Sequence, residues 1–299
     1  MRWLSCVVVL LALLGFPGCA APEQSEPSET GSFVRAEWKN TEFHAEVAQS
    51  GNGAQIDVSS ASQGYVGVSA QSEKRLKVKV GQGETVYVYD LPGDGTPQFF
   101  PLQCGDGLYK IQVMQNTTES KYIELFAVET QVNLEDEFQP FLHANQIVWY
   151  TQESKCVSLA NQLGEQAFSE TDAVARIYEY IKENIVYDYD KAAGDVTGYV
   201  PDPDQTLSSG KGICFDYASL AAAMLRSQGI PAKVITGYVS DGAVYHAWNM
   251  IYLKESGWIT VEIKAPANEW ERIDLTFAAN GADETTIGDG TDYVDRYVY

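Results

Sequence analysis

The sequence has few of the residues that bind metals or nucleic acids. Only three histidines and five cysteines occur among 299 residues, and neither a CxxC pair nor an HExxH motif is present. We therefore expect no metal site and no cofactor. Basic residues are also scarce, since 20 Lys and Arg stand against 41 Asp and Glu, for a net charge of −21. A chain this acidic is not expected to bind nucleic acid or to lie flat on an anionic membrane.

A long apolar run stands at the start of the chain. One early arginine precedes "WLSCVVVLLALLGF", a length typical of a signal peptide and too short to span a bilayer. The run ends at Gly18 and Cys19, a pair that resembles the lipobox of bacterial lipoproteins. We therefore expect residues 1–18 to be a lipoprotein signal peptide, with an ordinary cleaved signal peptide as the alternative. Lipid on Cys19 would anchor the exported protein to the outer face of the bacterial cell membrane.

The residues after Cys19 have the composition of a spacer. Residues 19–32, which include "AAPEQSEPSETGS", are rich in Pro, Ser, Glu and Gly and contain almost no apolar side chains. Such a segment behaves as a flexible linker, because it has too little apolar surface to pack. Three cysteines then remain in the chain, Cys104, Cys156 and Cys214. Cys104 and Cys156 either pair as a disulfide or stay free as buried thiols, and Cys214 is left without a partner.

The rest of the chain divides into three predicted parts. Residues 33–132 alternate apolar with polar side chains in six or seven short runs separated by turn signals, which predicts an all-β sandwich domain. Residues 133–168 show apolar spacings of three and four, which indicate a helical connector. Residues 169–299 begin with a helix that Ser169 or Thr171 can cap, and they end with four strand candidates. This third part is therefore predicted to be α+β, with an antiparallel sheet.

Cys214 lies where a helix begins. The stretch "GKGICFDYASLAAAMLRSQGIP" has small residues along one face and stops at Gly229, just before Pro231. Free N–H groups and the positive end of the helix dipole favour a thiolate in the first turn. Lys211 adds positive charge nearby, whereas Asp216 acts in the opposite direction. The alternative is that Cys214 is simply a small buried apolar residue.

A thiolate nucleophile needs a base, and the base needs an acceptor that orients it. Of the three histidines, only His246, in the strand candidate "VYHAWNM", belongs to the same predicted sheet. Asp274, in "WERIDLTF", is the first candidate for the acceptor, and Glu262 on the preceding strand is the second. Each also has a structural interpretation, His246 as a satisfied core histidine and the two acids as solvated carboxylates.

These stretches together resemble the transglutaminase-like superfamily. The resemblance covers about residues 169–299, with "GKGICFDYASLAAAMLRSQGIPAKVITGY", "YHAWNMIYL", "GWI" and "WERIDLTFA" in order. It implies a papain-like core of helices and an antiparallel sheet, here preceded by the sandwich. It also implies a catalytic triad in which Cys214 is the nucleophile, His246 the base and Asp274 the third member. Leu275 departs from the family, which has proline after the acid.

The resemblance implies a cysteine enzyme that forms a thioester. Its expected substrates are glutamine amides or peptide bonds of a protein or peptide, with a cell-wall protein as one option. Its expected outcome is acyl transfer or hydrolysis. The alternative is a catalytically silent binding module at the cell surface. The loop "TGYVPDPDQTLSSGKG" precedes Cys214, and Tyr199 within it is a candidate contact with substrate, although a plain connector also explains the loop.

Overall fold

The computed structural model describes residues 32–239, 244–264, 269–273 and 293–299. These residues belong to one compact unit, Gly31–Tyr299. Cys19, Asp274 and the predicted signal peptide lie outside the described residues. Within the described ranges, no helix is long and apolar enough to cross a membrane.

Eight strands occupy the first part of the unit. In chain order, β1 to β8 are Gln49–Gly51, Ala54–Asp57, Tyr65–Ala70, Leu76–Gln82, Thr85–Leu91, Gln98–Pro101, Gly107–Thr118 and Lys121–Val132. They form two four-stranded antiparallel sheets, in the orders β1-β2-β3-β6 and β5-β4-β7-β8.

The alternation of β4 shows how the sandwich core forms. Leu76, Val78 and Val80 are buried, while Lys77 and Lys79 between them remain partly exposed. Successive side chains of a strand point to opposite faces, so one face enters the core and the other meets solvent. The predicted all-β sandwich is confirmed. Its three shortest strands, β1, β2 and β6, have only three or four residues, too few to show an alternation.

The segment after the sandwich is mostly irregular. A 3-10 turn at Gln139–Phe141 is followed by non-helical backbone, and the first α-helix, α1, spans Lys155–Glu165. The side chain of Asn145 accepts hydrogen bonds from the backbone N–H groups of Ile147 and Val148, each at 3.0 Å. A local side-chain acceptor of this kind competes with helical hydrogen bonding. The apolar spacing in this segment therefore reflects the burial of its side chains, and only α1 is α-helical.

The second part of the unit supplies the remaining helices and strands. The helices α2 to α5 are Glu170–Asn184, Tyr189–Ala193, Pro203–Ser209 and Cys214–Ser227. The strands β9 to β15 are Val186–Tyr187, Lys211–Gly212, Ala232–Val239, Val244–Leu253, Gly257–Lys264, Glu269–Ile273 and Tyr293–Val298.

A five-stranded antiparallel sheet in the order β14-β13-β12-β11-β15 packs against α5. Its middle strand is β12, which matches the apolar character of both faces of that sequence. The four alanines of α5, Ala218, Ala221, Ala222 and Ala223, are buried. Small side chains at these positions let the helix lie close to the sheet. The α+β fold with a papain-like core after a sandwich is confirmed.

Candidate active site

The first turn of α5 is fixed by two glycines. Gly210 ends α4 with a φ of 64°, a left-handed conformation that glycine adopts without strain. A Cβ on Gly212 would lie 2.7 Å from the Cβ of Asp216, so only glycine fits there. Lys211 and Gly212 form the short strand β10, which pairs in parallel with β9. The Gly-Lys-Gly motif therefore joins the start of α5 to the end of α2 by way of β9.

Cys214 is the first residue of α5 and is half-buried. The first N–H groups of a helix have no partner within it, so the backbone around Cys214 presents donors and the positive end of the dipole. Tyr187 of β9 lies close by. Burial raises the pKa of the Tyr187 hydroxyl, and the neighbouring Cys214 adds to that rise. The thiol therefore lies between the helix start and an aromatic ring that stays neutral near pH 7.

Asp216 is fully buried in the same turn, and a network of three residues neutralises its charge. Its carboxylate accepts a hydrogen bond from the backbone N–H of Ile213 at 2.8 Å. The ammonium group of Lys191 lies 2.6 Å from Oδ2, and the hydroxyl of Tyr199 donates to Oδ1 at 2.6 Å. Lys191 also donates to the Tyr199 hydroxyl at 2.6 Å. Burial first, and then Asp216, raise the pKa of Tyr199.

A small cavity of about 10 Å³ adjoins Cys214. Residues of α2, α5, β12 and β13 line it, namely Tyr178, Tyr217, Ala218, Ala247, Trp248, Asn249 and Val261. A space of this size holds about one water molecule. The described residues therefore bring α5 and the middle of the sheet into contact beside the thiol.

A buried asparagine ties the cavity walls together. Asn249 of β12 accepts a hydrogen bond from the Tyr178 hydroxyl at 3.0 Å. Its amide nitrogen donates to the carbonyl of Ala218 at 2.9 Å and to that of Lys233 at 3.0 Å. Four elements, α2, α5, β11 and β12, thus meet at one side chain. A buried polar group with this many partners holds a single arrangement of the helix and the sheet.

His246 lies in β12, opposite Gly237 of β11, and is half-buried. Successive side chains of a regular strand lie on opposite faces of the sheet, so the side chains of His246 and Trp248 share one face. The side chains of Ala247 and Asn249 lie on the other face, which packs against α5. Trp248 nevertheless lines the cavity beside Cys214. The strand that carries His246 therefore borders the thiol, while the contact between thiol and imidazole stays a prediction.

The other two histidines lie elsewhere. His44 bonds Asp57 of the sandwich through its backbone N–H at 2.8 Å and its ring Nδ1 at 3.2 Å. His143 is buried behind α5, where its Nδ1 lies 2.9 Å from the carbonyl oxygen of Asn40. Neither lies on the sheet that packs against α5.

The remaining predicted positions have separate outcomes. Cys104 and Cys156 are free thiols, and burial raises the pKa of both. Tyr199 lies beside the first turn of α5 with its hydroxyl bonded to Asp216, and its contact with substrate stays a prediction. Asp274 follows the last residue of β14 and lies outside the described residues, as does the side chain of Glu262. Among the described residues, no group of three or more His, Cys, Asp or Glu is placed to hold a metal ion.

Comparison with known families supports this view of the core. Residues 157–263 match the model of the transglutaminase-like superfamily. This part of the chain is a transglutaminase-like domain. It contains Cys214 and His246, begins inside α1, and ends before Asp274. The matched range thus includes most of helix α1, while the expected domain start at residue 169 stays a prediction.

Two curated proteins share parts of this domain. The uncharacterised protein YebA of Bacillus subtilis strain 168 is 36% identical over 76 residues, which cover 20% of this chain and 10% of YebA. Kyphoscoliosis peptidase of Mus musculus is 27% identical over 138 residues, which cover 43% of this chain and 19% of that protein. The chain thus matches about a tenth and about a fifth of the length of these relatives.

The chain also matches solved structures at low TM-scores. A candidate cysteine protease from Cytophaga hutchinsonii is 20% identical, with a TM-score of 0.38 over 69% of this chain and 72% of that chain. Red sea bream transglutaminase is 12% identical, with a TM-score of 0.28 over 66% of this chain and 48% of that chain.

Sequence reasoning missed Lys191 of the transglutaminase-like domain. It considered Lys211, three residues before Cys214, as the nearby positive charge, yet Lys211 is exposed and it is Lys191 that pairs with Asp216. Lys191 precedes Asp216 by 25 residues, in a short helix capped by Asp188. No local pattern in "YDYDKAAG" indicates a contact at that separation.

Proposed function

We propose that the protein is a cysteine enzyme that transfers or hydrolyses acyl groups, with Cys214 as nucleophile, His246 as base and Asp274 as the group that orients the imidazole. The observation that carries the proposal is the position of Cys214. It is the half-buried first residue of the central helix in a transglutaminase-like domain, and it borders a cavity lined by the strand that carries His246.

The proposed reaction begins with the thiolate of Cys214 attacking the carbonyl carbon of a glutamine side chain or a peptide bond. The carbonyl oxygen takes up the negative charge, and the backbone N–H of Cys214 at the helix start is placed to stabilise it. The protonated imidazole of His246 then gives its proton to the departing nitrogen, so that ammonia or an amine leaves and a thioester forms. An amine or water, deprotonated by His246, attacks the thioester and restores the thiolate.

The two outcomes differ in the group that resolves the thioester. Attack by a lysine amine gives an isopeptide bond, whereas attack by water gives proteolysis or deamidation. The match with kyphoscoliosis peptidase favours including peptide-bond cleavage among the outcomes that are tested.

The test compares Cys214→Ala with the unmodified protein and with Cys104→Ala, which removes a free thiol of the sandwich. Each is incubated with a glutamine-rich protein and a labelled primary amine. Incorporated label indicates transfer, and peptide fragments or released ammonia without label indicate hydrolysis. We expect Cys214→Ala to lose at least 10³-fold in rate and Cys104→Ala to stay active. Full activity of Cys214→Ala in either assay contradicts the proposal.

A binding module at the cell surface is the alternative function. Alkylation separates the two, because an activated thiolate reacts rapidly near neutral pH while an ordinary thiol reacts only as the pH approaches 8.5 or so. A slow, alkaline profile for Cys214 would favour the binding module.

We also propose that the chain is exported and anchored by lipid on Cys19 to the outer face of the bacterial cell membrane, which would place its protein or peptide substrates in the cell envelope. The support is the sequence around Gly18 and Cys19 and the spacer that follows. Membrane fractionation after expression with labelled fatty acid tests this. We expect labelled protein in the membrane fraction and unlabelled protein after Cys19→Ser, and label retained in that variant contradicts the assignment.

A further inference from the structure

Asp216 is a buried carboxylate in the first turn of α5, two residues after Cys214. Its carboxylate turns back onto the backbone N–H of Ile213, at the same helix end that would stabilise the thiolate. An unpaired negative charge there would oppose the helix dipole and repel a second negative charge nearby. The carboxylate is fully buried, so water does little to screen it.

Lys191 pairs with this carboxylate. Its ammonium lies 2.6 Å from the Asp216 carboxylate, and the two residues form the ion pair closest to the first turn of α5 among the described residues. Tyr199 holds the ammonium from the other side, with the Lys191 nitrogen 3.9 Å from the centre of its ring. The pair therefore joins a partly exposed ammonium to a fully buried carboxylate, with the Tyr199 hydroxyl bonded to both.

The other ionisable groups around Cys214 change this balance little. Burial raises the pKa of the neighbouring tyrosines on α2, β9 and α5, so they stay neutral near pH 7, and the pKa of Tyr217 is about 12. Among the described residues, the charged groups near the first turn of α5 include Asp216, Lys191, the exposed Lys211 and Asp188, whose carboxylate accepts a hydrogen bond from the Lys191 backbone N–H. The contact between His246 and Cys214 stays a prediction. The tyrosines concerned are Tyr178, Tyr187 and Tyr217.

We propose that Lys191 is a positioning residue that sets the reactivity of Cys214 by neutralising Asp216, and that Tyr199 holds it in place. This goes beyond the proposed function and relies on it only for the identity of the nucleophile. Asp216 has a structural role of its own, because its carboxylate caps the backbone of the first turn and its Cβ packs against Gly212. Lys191 thus makes a buried structural acid compatible with a thiolate two residues away.

The experiment measures the pH at which Cys214 is half-maximally alkylated by iodoacetamide. Peptide mass spectrometry reads Cys214 separately from Cys104, which serves as an internal reference in each sample. Lys191→Met leaves the carboxylate unpaired, and we expect the midpoint to rise by about one pH unit. Asp216→Asn leaves the ammonium unpaired, and we expect the midpoint to fall by about as much. The double variant is expected to return close to the original value.

Two further variants distinguish the effect of this ion pair from the effect of any positive charge near Cys214. Lys211→Met removes one positive charge three residues before Cys214 but outside the network, and it is expected to move the midpoint by less than about 0.3. Lys191→Arg keeps the charge and is expected to retain the original midpoint. Circular dichroism and thermal melting show which variants are folded.

Shifts of opposite sign in the two single variants are a result that a purely structural role of the pair does not produce. If Lys191→Met and Asp216→Asn are folded and both keep the original midpoint, the proposal is overturned. If Lys191→Met fails to fold, Asp216→Asn alone decides, and an unchanged midpoint there overturns it as well. The alkylation midpoints are measured without any substrate, so they remain valid even if the acyl-transfer assays show no activity. Likewise, unchanged midpoints would not contradict an activity found in those assays.

Discussion

His143 shows how burial controls a single titratable side chain in this protein. It is 3% exposed, and burial together with the charge of Lys39 lowers its pKa to about 4. Its Nδ1 bonds the carbonyl of Asn40, whereas its Nε2 is buried without a partner among the described residues. A proton on Nε2 would therefore be a buried donor with no acceptor, and the ring stays neutral in the folded state.

This lowered pKa predicts a loss of stability in mild acid. Below about pH 6.5 the unfolded chain takes up a proton on His143 that the folded protein refuses until about pH 4. The free energy of unfolding should therefore fall as the pH drops from 6.5 to 4, by about 3 kcal/mol from this residue. Urea unfolding at several pH values in this range measures the slope.

The control for this prediction is His143→Gln, which keeps an amide donor for Asn40 and does not titrate. Carboxylates also titrate in acid, so the quantity that matters is the difference in slope between the two proteins. The variant should lose stability less steeply than the original between pH 6.5 and 5. Equal slopes would show that His143 is not held neutral.

At the scale of elements, helix α1 is capped by a residue from another helix. Ser154 occupies the N-cap position of α1, but its side chain makes no capping hydrogen bond. The carboxylate of Asp204 in α4 instead accepts hydrogen bonds from the backbone N–H groups of Lys155 and Cys156, both at 2.9 Å. A carboxylate on the first N–H groups of a helix is favourable both as an acceptor and as a charge on the dipole. Asp204 therefore joins α4 to α1.

We expect Asp204→Ala to lower the free energy of unfolding by about 1–2 kcal/mol, because two backbone donors at the start of α1 lose their acceptor. Ser154→Ala is the matched control, and it should cost less, since that side chain bonds only the Thr151 N–H at 3.1 Å. Chemical denaturation of both variants gives the comparison. A larger loss from Ser154→Ala would mean that the local residue, and not Asp204, caps α1.

The two kinds of cap explain what the sequence predicts here and what it does not. Ser169 caps α2 through the Asp172 N–H at 3.1 Å, as predicted, because the two residues are three apart. The end of α5 at Gly229 and the central place of β12 are also confirmed, since each depends on a local pattern. The contact of Asp204 with the start of α1 joins residues that are 49 apart, and the pairing of Lys191 with Asp216 joins residues that are 25 apart. No local sequence pattern indicates contacts at such separations.

At the scale of the whole molecule, one buried arginine connects the end of α5 with the rest of the unit. Arg226 is 3% exposed and donates to the carbonyls of Ala232, His143 and Tyr299 at 2.8, 2.8 and 3.0 Å. Burial lowers its pKa to about 10, so it stays charged at neutral pH. Tyr299 also packs against the rings of Tyr87 and Tyr89 in the sandwich. The transglutaminase-like domain and the sandwich therefore share one buried junction.

A shared junction predicts that the two parts unfold together. Arg226→Met leaves three buried carbonyls without their donor and should lower the free energy of unfolding by about 3 kcal/mol or more. Arg176→Met removes an arginine whose two contacts, the Asp172 carboxylate and the exposed Phe168 ring, lie at the surface, so it should cost less than about 1 kcal/mol. Hydrogen exchange in increasing urea, read separately on peptides of β4, β7 and α5, measures both variants. Because the junction lies between the parts, protection in the sandwich and in α5 should be lost at the same urea concentration, which Arg226→Met lowers for both. Loss of protection in α5 alone would mean that the sandwich folds independently and that the junction transmits no stability between them.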